Sequence, residues 1–293
     1  LSPRITPLVD PESGPSSRRL VWLAHDADGV PVGSASMRLF LEGGQAHLAE
    51  LEISVHAAER RQGIGTRLLT AAVTAARAED RRSVVVQAQQ GSPADEFLPV
   101  RGFRPVLSLT YARLSLADAD LPAIRELAER PHPGYELTEW EGAVPGELAR
   151  SYAASRTAMD DMPMDGTDYG TVAWDVERLV AAAEAVARRG DLLHTVAAVD
   201  TADGRVVGFS ELVAPGDGLG DAQHYGTAVL PAHRGRGLAR WMKAASIRRA
   251  RRLHPLLAGL LTDTADGNAP MRAVNDALGY VATHRAVEYQ LDL

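Results

Sequence analysis

Val229–Ser246 reads VLPAHRGRGLARWMKAAS, and Val55–Ala72 reads VHAAERRQGIGTRLLTAA. Laid one on the other, Val55 meets Val229, Ala58 meets Ala232, Arg60 meets Arg234 and Gly63 meets Gly237, all at an offset of 174. Upstream, Asp28-Gly29 and Val32-Gly33 match Asp203-Gly204 and Val207-Gly208 at an offset of 175. Downstream, Gly102-Phe103 matches Gly279-Tyr280 at 177. Three landmarks in one order, drifting by only a few residues, indicate an internal duplication.

In each copy an apolar strand ends and a glycine-arginine cluster opens an amphipathic helix. The clusters are Arg60-Arg61-Gln62-Gly63-Ile64-Gly65-Thr66 and Arg234-Gly235-Arg236-Gly237-Leu238-Ala239. A first helical turn has unpaired N–H groups at the positive end of the helix dipole. Glycine removes the Cβ that would hold a phosphate away, and arginines add charge-assisted bonds. The plain alternative is a helix entry whose glycines serve close packing. A P-loop needs Lys-Ser or Lys-Thr after the last glycine, and neither copy has it. A dinucleotide fold wants its first glycine directly after the strand, where Pro231-Ala232-His233 intervenes.

These loops resemble the acetyl-CoA loop of the GNAT superfamily of N-acetyltransferases. The second copy resembles it more fully, through TAVLPAHRGRGLARWMK and then TDTADGNAPMRAVNDALGY. The resemblance implies an α/β fold of two tandem GNAT-like domains, each a mixed, splayed sheet flanked by helices. It also implies acetyl-CoA as acyl donor, held at both loops and, in the second copy, by Val229 and Asn268.

The offset divides the chain into a first domain at 1–114, a linker at 115–133 and a second domain at 134–293. Leu1 falls opposite Asp175, so the first copy is expected to lack the opening strand and helix. Strands are expected in the second copy at Tyr135–Trp140, Leu193–Val199, Val206–Val213, Gln223–Leu230, Leu256–Thr262 and Arg285–Leu291. Its helices are expected at Val144–Met159, Val176–Arg189, Leu238–Leu253 and Ala269–Leu278. In the first copy strands are expected near Leu20–Ala24, Val32–Leu41, Leu48–Val55 and Val84–Ala88, with a helix at Gly65–Glu79.

With 31 basic against 38 acidic residues, the net charge of −7 disfavours a polyanionic partner. The run Arg248-Arg249-Ala250-Arg251-Arg252 ends a helix, where cations suit the dipole, so nucleic acid is not expected. The chain has no cysteine, which excludes a disulfide framework, a cysteine nucleophile and thiolate metal sites. No metal is expected, since the histidines lack ligand spacing. No apolar run reaches the roughly 20 residues of a membrane span, and a cytoplasmic protein is expected. Lys243 is the one lysine of the sequence.

Acetyl transfer to an amine needs a neutral nucleophile, a polarised carbonyl and a route for protons. The strand before the second loop, Gln223–Val229, carries no carboxylate, and His224 is either its titratable candidate base or a polar residue on a half-exposed strand. The first copy has Glu50 and Glu52 there, either a base or the wet face of a sheet. Family members often carry a tyrosine acid four residues before the glycine of Leu-Gly-Phe; Asn275 and Leu98 stand there instead. Asn275 can donate a hydrogen bond but no proton. The first copy also lacks an equivalent of Asn268, having GSPADEFLPVRGF in that stretch, and is expected to be catalytically silent. In the GNAT fold the loop holding Asp160, Asp161 and Asp165 often lines the acceptor site, so these acids either attract a cationic acceptor or form a solvated interhelical turn. The function expected is transfer to a small-molecule amine; the alternative is an acyl-CoA-binding pseudoenzyme or sensor.

Overall fold

The computed structural model describes residues 3–10, 17–41, 43–161 and 166–293. Along the chain come β1 (Arg4–Leu8), β2 (Ser17–His25), β3 (Pro31–Phe40), β4 (Leu48–Val55), α1 (Ile64–Ala78), β5 (Ser83–Gln89) and α2 (Pro93–Phe97). Next are β6 (Arg104–Ser115), α3 (Leu121–Glu129), β7 (Tyr135–Glu141), α4 (Gly146–Ser155) and α5 (Val176–Arg188). The remainder is β8 (Leu192–Asp200), β9 (Arg205–Ala214), β10 (Gly220–Val229), α6 (Leu238–Leu253), β11 (Leu257–Ala265), α7 (Ala269–Ala277) and β12 (Val281–Asp292). These form two compact units. The first is Leu1–Ser108 with Met164–Val172 and Arg285–Leu293; the second is Leu109–Pro163 with Ala173–His284.

In the first unit β1, β2, β3 and β4 pair antiparallel in chain order. β5 joins β4 in parallel and pairs on its other edge with residues 286–292 of β12. Helix α1 buries Ile64, Leu68, Leu69, Ala72 and Ala76 against the sheet, the 3–4 spacing of an amphipathic helix. The second unit repeats the plan: β7, β8, β9 and β10 antiparallel, then β11 parallel to β10. Residues 109–115 of β6 close its outer edge on β11. Its core joins α6 and α3 to one face, with Trp241, Met242, Ile247, Ile124 and Leu260 buried together. On the other face Trp140, Tyr152, Leu179 and Phe209 pack under α4 and α5.

Four details differ from the sequence expectations. Residues 115–133 are not a free linker, because α3 packs on α6 and its Ala128 carbonyl accepts from Trp241 Nε1 at 2.9 Å. Each unit takes its closing strand from a distant part of the sequence, so the units do not coincide with 1–114 and 134–293. The first unit does carry an edge strand, β1, in the place β7 has in the second. The opening elements it lacks, among the described residues, are the helices matching α4 and α5. The expected helix 144–159 changes at Arg156 from α4 to a 3-10 turn, Arg156–Met159. No helix among the described residues is long and apolar enough to cross a membrane.

Candidate functional site

The parallel pair in each unit parts early. β10 and β11 are in register from Gly220↔Leu257 to Gln223↔Leu261, and there the pairing ends. β4 and β5 pair only from Leu48↔Ser83 to Glu50↔Val85. Past each fork the strand edges hold backbone N–H and C=O groups that no longer meet the neighbouring strand. In the second unit β10 also carries a bulge at Tyr225, between the pairs His224↔Leu212 and Gly226↔Glu211. A bulge inserts one residue and reverses the alternation beyond it. His224 therefore faces α6 with Ala222 and Leu212, whereas Gly226 and Ala228 face α4 with Phe209. β4 runs opposite β3 in unbroken register.

At the far end of each forked strand stands its glycine loop. Gly63 and Gly237 are the N-caps of α1 and α6, at φ +82° and +78°. L side chains rarely adopt that conformation, which accounts for glycine at both positions. Arg61 takes the same left-handed conformation as its counterpart Gly235, at φ +66° against +75°. A Cβ added to Gly63 or Gly235 meets nothing within 4 Å, so these loops are open to an approaching ligand. Arg60 Nε donates to the Val55 carbonyl at 3.1 Å, and Arg234 Nε donates to that of Val229 at 2.9 Å.

Beside the second loop lies a cavity of about 540 Å³ lined by Arg130, His132, Tyr135, Arg236, Arg240 and Trp241 among others. Arg130 pairs with Glu126 at 3.4 Å, while the lining itself holds no carboxylate beside Arg236 and Arg240, so the cavity favours an anion. His132 stacks on Trp241 at 4.1 Å, and the Arg236 side chain bonds the Tyr135 hydroxyl.

The fork and the glycine-capped helix repeat in sequence as well as in space. The profile of the Acetyltransferase (GNAT) family matches residues 6–103 and again 159–280. The chain belongs to the GNAT acetyltransferase family. A tandem GNAT protein from the clavulanic acid biosynthesis pathway is similar over 96% of this chain and 84% of its own, with TM-score 0.77 and 23% identity. A GCN5-related N-acetyltransferase from Sphaerobacter thermophilus is similar over 93% of this chain and 80% of its own, with TM-score 0.66 and 18% identity. At such identities the likeness is one of fold: two tandem GNAT domains, each with a splayed mixed sheet.

Several expected site residues of this GNAT chain have other partners. Arg234 is tied to Val229 and bridges Asp161 at 3.0 Å. Asn268 caps α7, its Oδ1 accepting from Met271 N at 3.2 Å. Ser92 does the same for α2, accepting from Asp95 N at 3.3 Å, so the first domain does have a counterpart of Asn268. In the first loop Gln62 bonds Glu59 at 3.0 Å, and Thr66 Oγ1 accepts from Arg101 at 2.8 Å. Ile64 is the buried first residue of α1, and Gly65 leaves ordinary contact distance to Phe97 and Val55. Gly235, Arg236, Gly237, Leu238 and Ala239 form the turn into α6, with Leu238 and Ala239 packed on its core. Asp160 and Asp161 are exposed at the end of the 3-10 turn, and Asp165 lies outside the described residues.

His224 and Asn275, from different elements, both lie in the same buried polar cluster on the α6–α7 face. His224 Nε2 bonds the Tyr280 hydroxyl at 2.8 Å. Lys243 Nζ donates to Asn275 Oδ1 at 2.7 Å and reaches Thr262 Oγ1 at 3.5 Å, while Asn275 Nδ2 donates to Thr264 Oγ1 at 3.0 Å. The Lys243 ammonium also lies 4.8 Å from the centre of the Tyr280 ring. Burial pushes the lysine down to about 7, against an opposing pull from Asp263. Burial, and then the Lys243 charge, hold the His224 imidazole well below its ordinary value.

On the α4 face sits a second cluster that the motifs did not reveal. Glu211, opposite Gly226 at the bulge, accepts from the Tyr152 hydroxyl at 2.5 Å and pairs with Arg156 at 2.6 Å. The Arg156 guanidinium lies over the Trp174 ring at 3.8 Å and near Phe209 at 5.0 Å. The available signal was Glu211 itself, a lone acid inside the apolar run Val206–Val213. Among the described residues no group of three His, Asp or Glu converges as metal ligands.

Proposed function

We propose that the second domain transfers an acetyl group from acetyl-CoA directly to an amine of a small molecule. One observation carries this reading: β10 parts from β11 after Gln223, bulges at Tyr225 and leads into the open glycine loop that caps α6. The chain's own groups fit the donor. The amides from Gly235 to Ala239 offer a phosphate the N-terminus of α6, with Arg236 and Arg240 beside it. The parted edge of β10 near Val229 offers amides to a polar extended chain and to a carbonyl that gains charge on attack. Acetyl-CoA supplies the thioester; the protein orients it and handles protons.

In this reading the acceptor arrives over the α4 face. Asp160 and Asp161 raise the local concentration of a cationic amine, and Glu211 stands opposite the bulge. His224 and Asn275 act from the other face. The first domain holds CoA at Arg60–Thr66 without turnover, because the positions of its fork on the α1 face are apolar. The donor and acceptor are both water-soluble, which suits action in the cytoplasm, away from nucleic acid and membrane.

The test is thiol release from acetyl-CoA with polyamines, aminoglycosides, amino acids and basic peptides as acceptors. Release with one or more of the small amines supports the proposal. Calorimetric CoA binding with no release in any mixture would make the chain an acyl-CoA-binding protein without turnover.

A further inference from the structure

The duplication provides an internal control for the polar cluster at the second fork. Counting from the capping glycines and the strand pairings, Lys243 corresponds to Leu69 and His224 to Leu51. Asn275 corresponds to Leu98, Tyr280 to Phe103, Thr262 to Val86 and Thr264 to Ala88. All six counterparts are apolar and buried in one core. The same fold therefore packs these positions without any polar atom, and architecture alone does not call for a lysine. Burying an ammonium is costly, and here its partners are neutral oxygens. The charged or titratable groups around it are Asp263 on β11, His224 on β10 and Tyr280 after α7. Such a group is expected where it has work to do.

Its location says what work. Thr262 is the first β11 residue past the last pair with β10, and His224 is the first β10 residue past it. Lys243 reaches Thr262, and His224 bonds the tyrosine whose ring lies beside the ammonium. The ammonium thus lies at the fork, on the face that carries the glycine-capped helix α6. We propose that Lys243, oriented by Asn275, is the proton donor to the departing sulfur in the second domain. This rests on the acyl-transfer reading above. The acceptor nitrogen forms a bond to the acyl carbon and loses a proton to solvent. The carbon–sulfur bond breaks, its electron pair stays on sulfur, and the sulfur takes a proton from Lys243. The neutral amine then regains a proton from water.

The proposal is tested in the full chain by Lys243→Met and by the pair Lys243→Leu with Asn275→Leu, which copies the first domain. Lys243→Met is expected to lower kcat about a hundredfold with little change in donor KM. The wild-type kcat should fall as pH rises through about 7, where Lys243 loses its proton, and this fall should vanish in the variant. The Leu pair should be equally inactive yet melt no lower than wild type, an outcome that a structural role forbids. Because the sequence holds one lysine, side-chain 13C labelling gives a single lysine resonance, and CoA should shift its titration. Retention of kcat and of the alkaline fall in Lys243→Met would overturn the proposal. So would acetyl-Lys243 found by mass spectrometry, which would make the lysine an acceptor, or a lysine resonance that CoA leaves unmoved. Failure of the acyl-transfer reading shows separately, as a wild-type chain that releases no thiol with any amine.

Discussion

Arg234 Nε donates to the carbonyl of Val229 at 2.9 Å, five residues back along the chain. Arg60 and Val55 repeat the bond at 3.1 Å in the first domain. The bond folds the strand end onto the loop and sets the direction in which the next helix starts. The arginine that precedes each glycine loop is thus a brace, which leaves the backbone amides after it as the groups that would meet a phosphate in the function proposed above.

Replacing Gly237 by Val should therefore weaken CoA binding to the second domain by at least tenfold, about 1.4 kcal/mol. The residue holds φ +78°, and its Cβ would stand 3.4 Å from His132 Nε2. Calorimetry with the circular-dichroism spectrum unchanged is the check; an unaltered affinity takes the loop out of the site. Turnover abolished by Gly63→Val but normal in Gly237→Val would move activity to the first domain.

Arg156→Met should destabilise the chain by roughly 3–5 kcal/mol, because it strands the Glu211 carboxylate in the core. The double variant Arg156→Met with Glu211→Gln should recover much of that loss. Urea denaturation of the two variants gives the comparison; equal losses would show that the pair is not coupled.

Tyr280→Phe installs the side chain that Phe103 has in the first domain but leaves His224 Nε2 without its partner. The expected cost is about 1–3 kcal/mol. Combining it with His224→Leu removes both polar groups and should restore stability, measured by the same melts. No recovery would mean that the bond is not what holds Tyr280.

The His194 imidazole is buried beside His254, whose ring nitrogen lies at 2.8 Å. Burial first, then His254, push it down to about 4, with Arg249 adding to the shift and Glu141 and Glu139 opposing it. An unfolded chain binds that proton near pH 6.5, so between pH 6.5 and 4 the unfolded state holds more protons. Stability contributed by this group is full above pH 6.5 and falls toward pH 4, by roughly 3 kcal/mol at 1.36 kcal/mol per unit. His194→Gln should flatten that part of the acid limb in melts taken across the range; an unchanged slope would assign the limb to other groups.

Asp160→Asn with Asp161→Asn should raise the acceptor KM severalfold and leave donor KM nearly unchanged. Both carboxylates are exposed, and Asp161 shares its charge with Arg234, so a larger effect is not expected. Steady-state kinetics at low and high salt will show the effect shrinking as salt screens it. An unmoved acceptor KM at low salt removes the acidic turn from the acceptor site.

The sequence by itself determined the duplication, the glycine-capped helices and the GNAT plan, because these are local. A glycine at positive φ, a helix N-terminus and a strand's alternation are each written in a few consecutive residues. It named His224 and Asn275 without their relation, since the two are 51 positions apart and meet only when β10 and α7 pack on α6. Only the tertiary structure decided that the Tyr225 bulge turns His224 and Gly226 to opposite faces, because register depends on the partner strand. It also exchanged the closing strands, pairing residues 286–292 with β5 and 109–115 with β11, a choice of long-range hydrogen bonding that no local pattern specifies. Lys243 is the clearest case. In sequence it is one cation on an amphipathic helix, and its burial follows from the walls that β11, α7 and Tyr280 build around it.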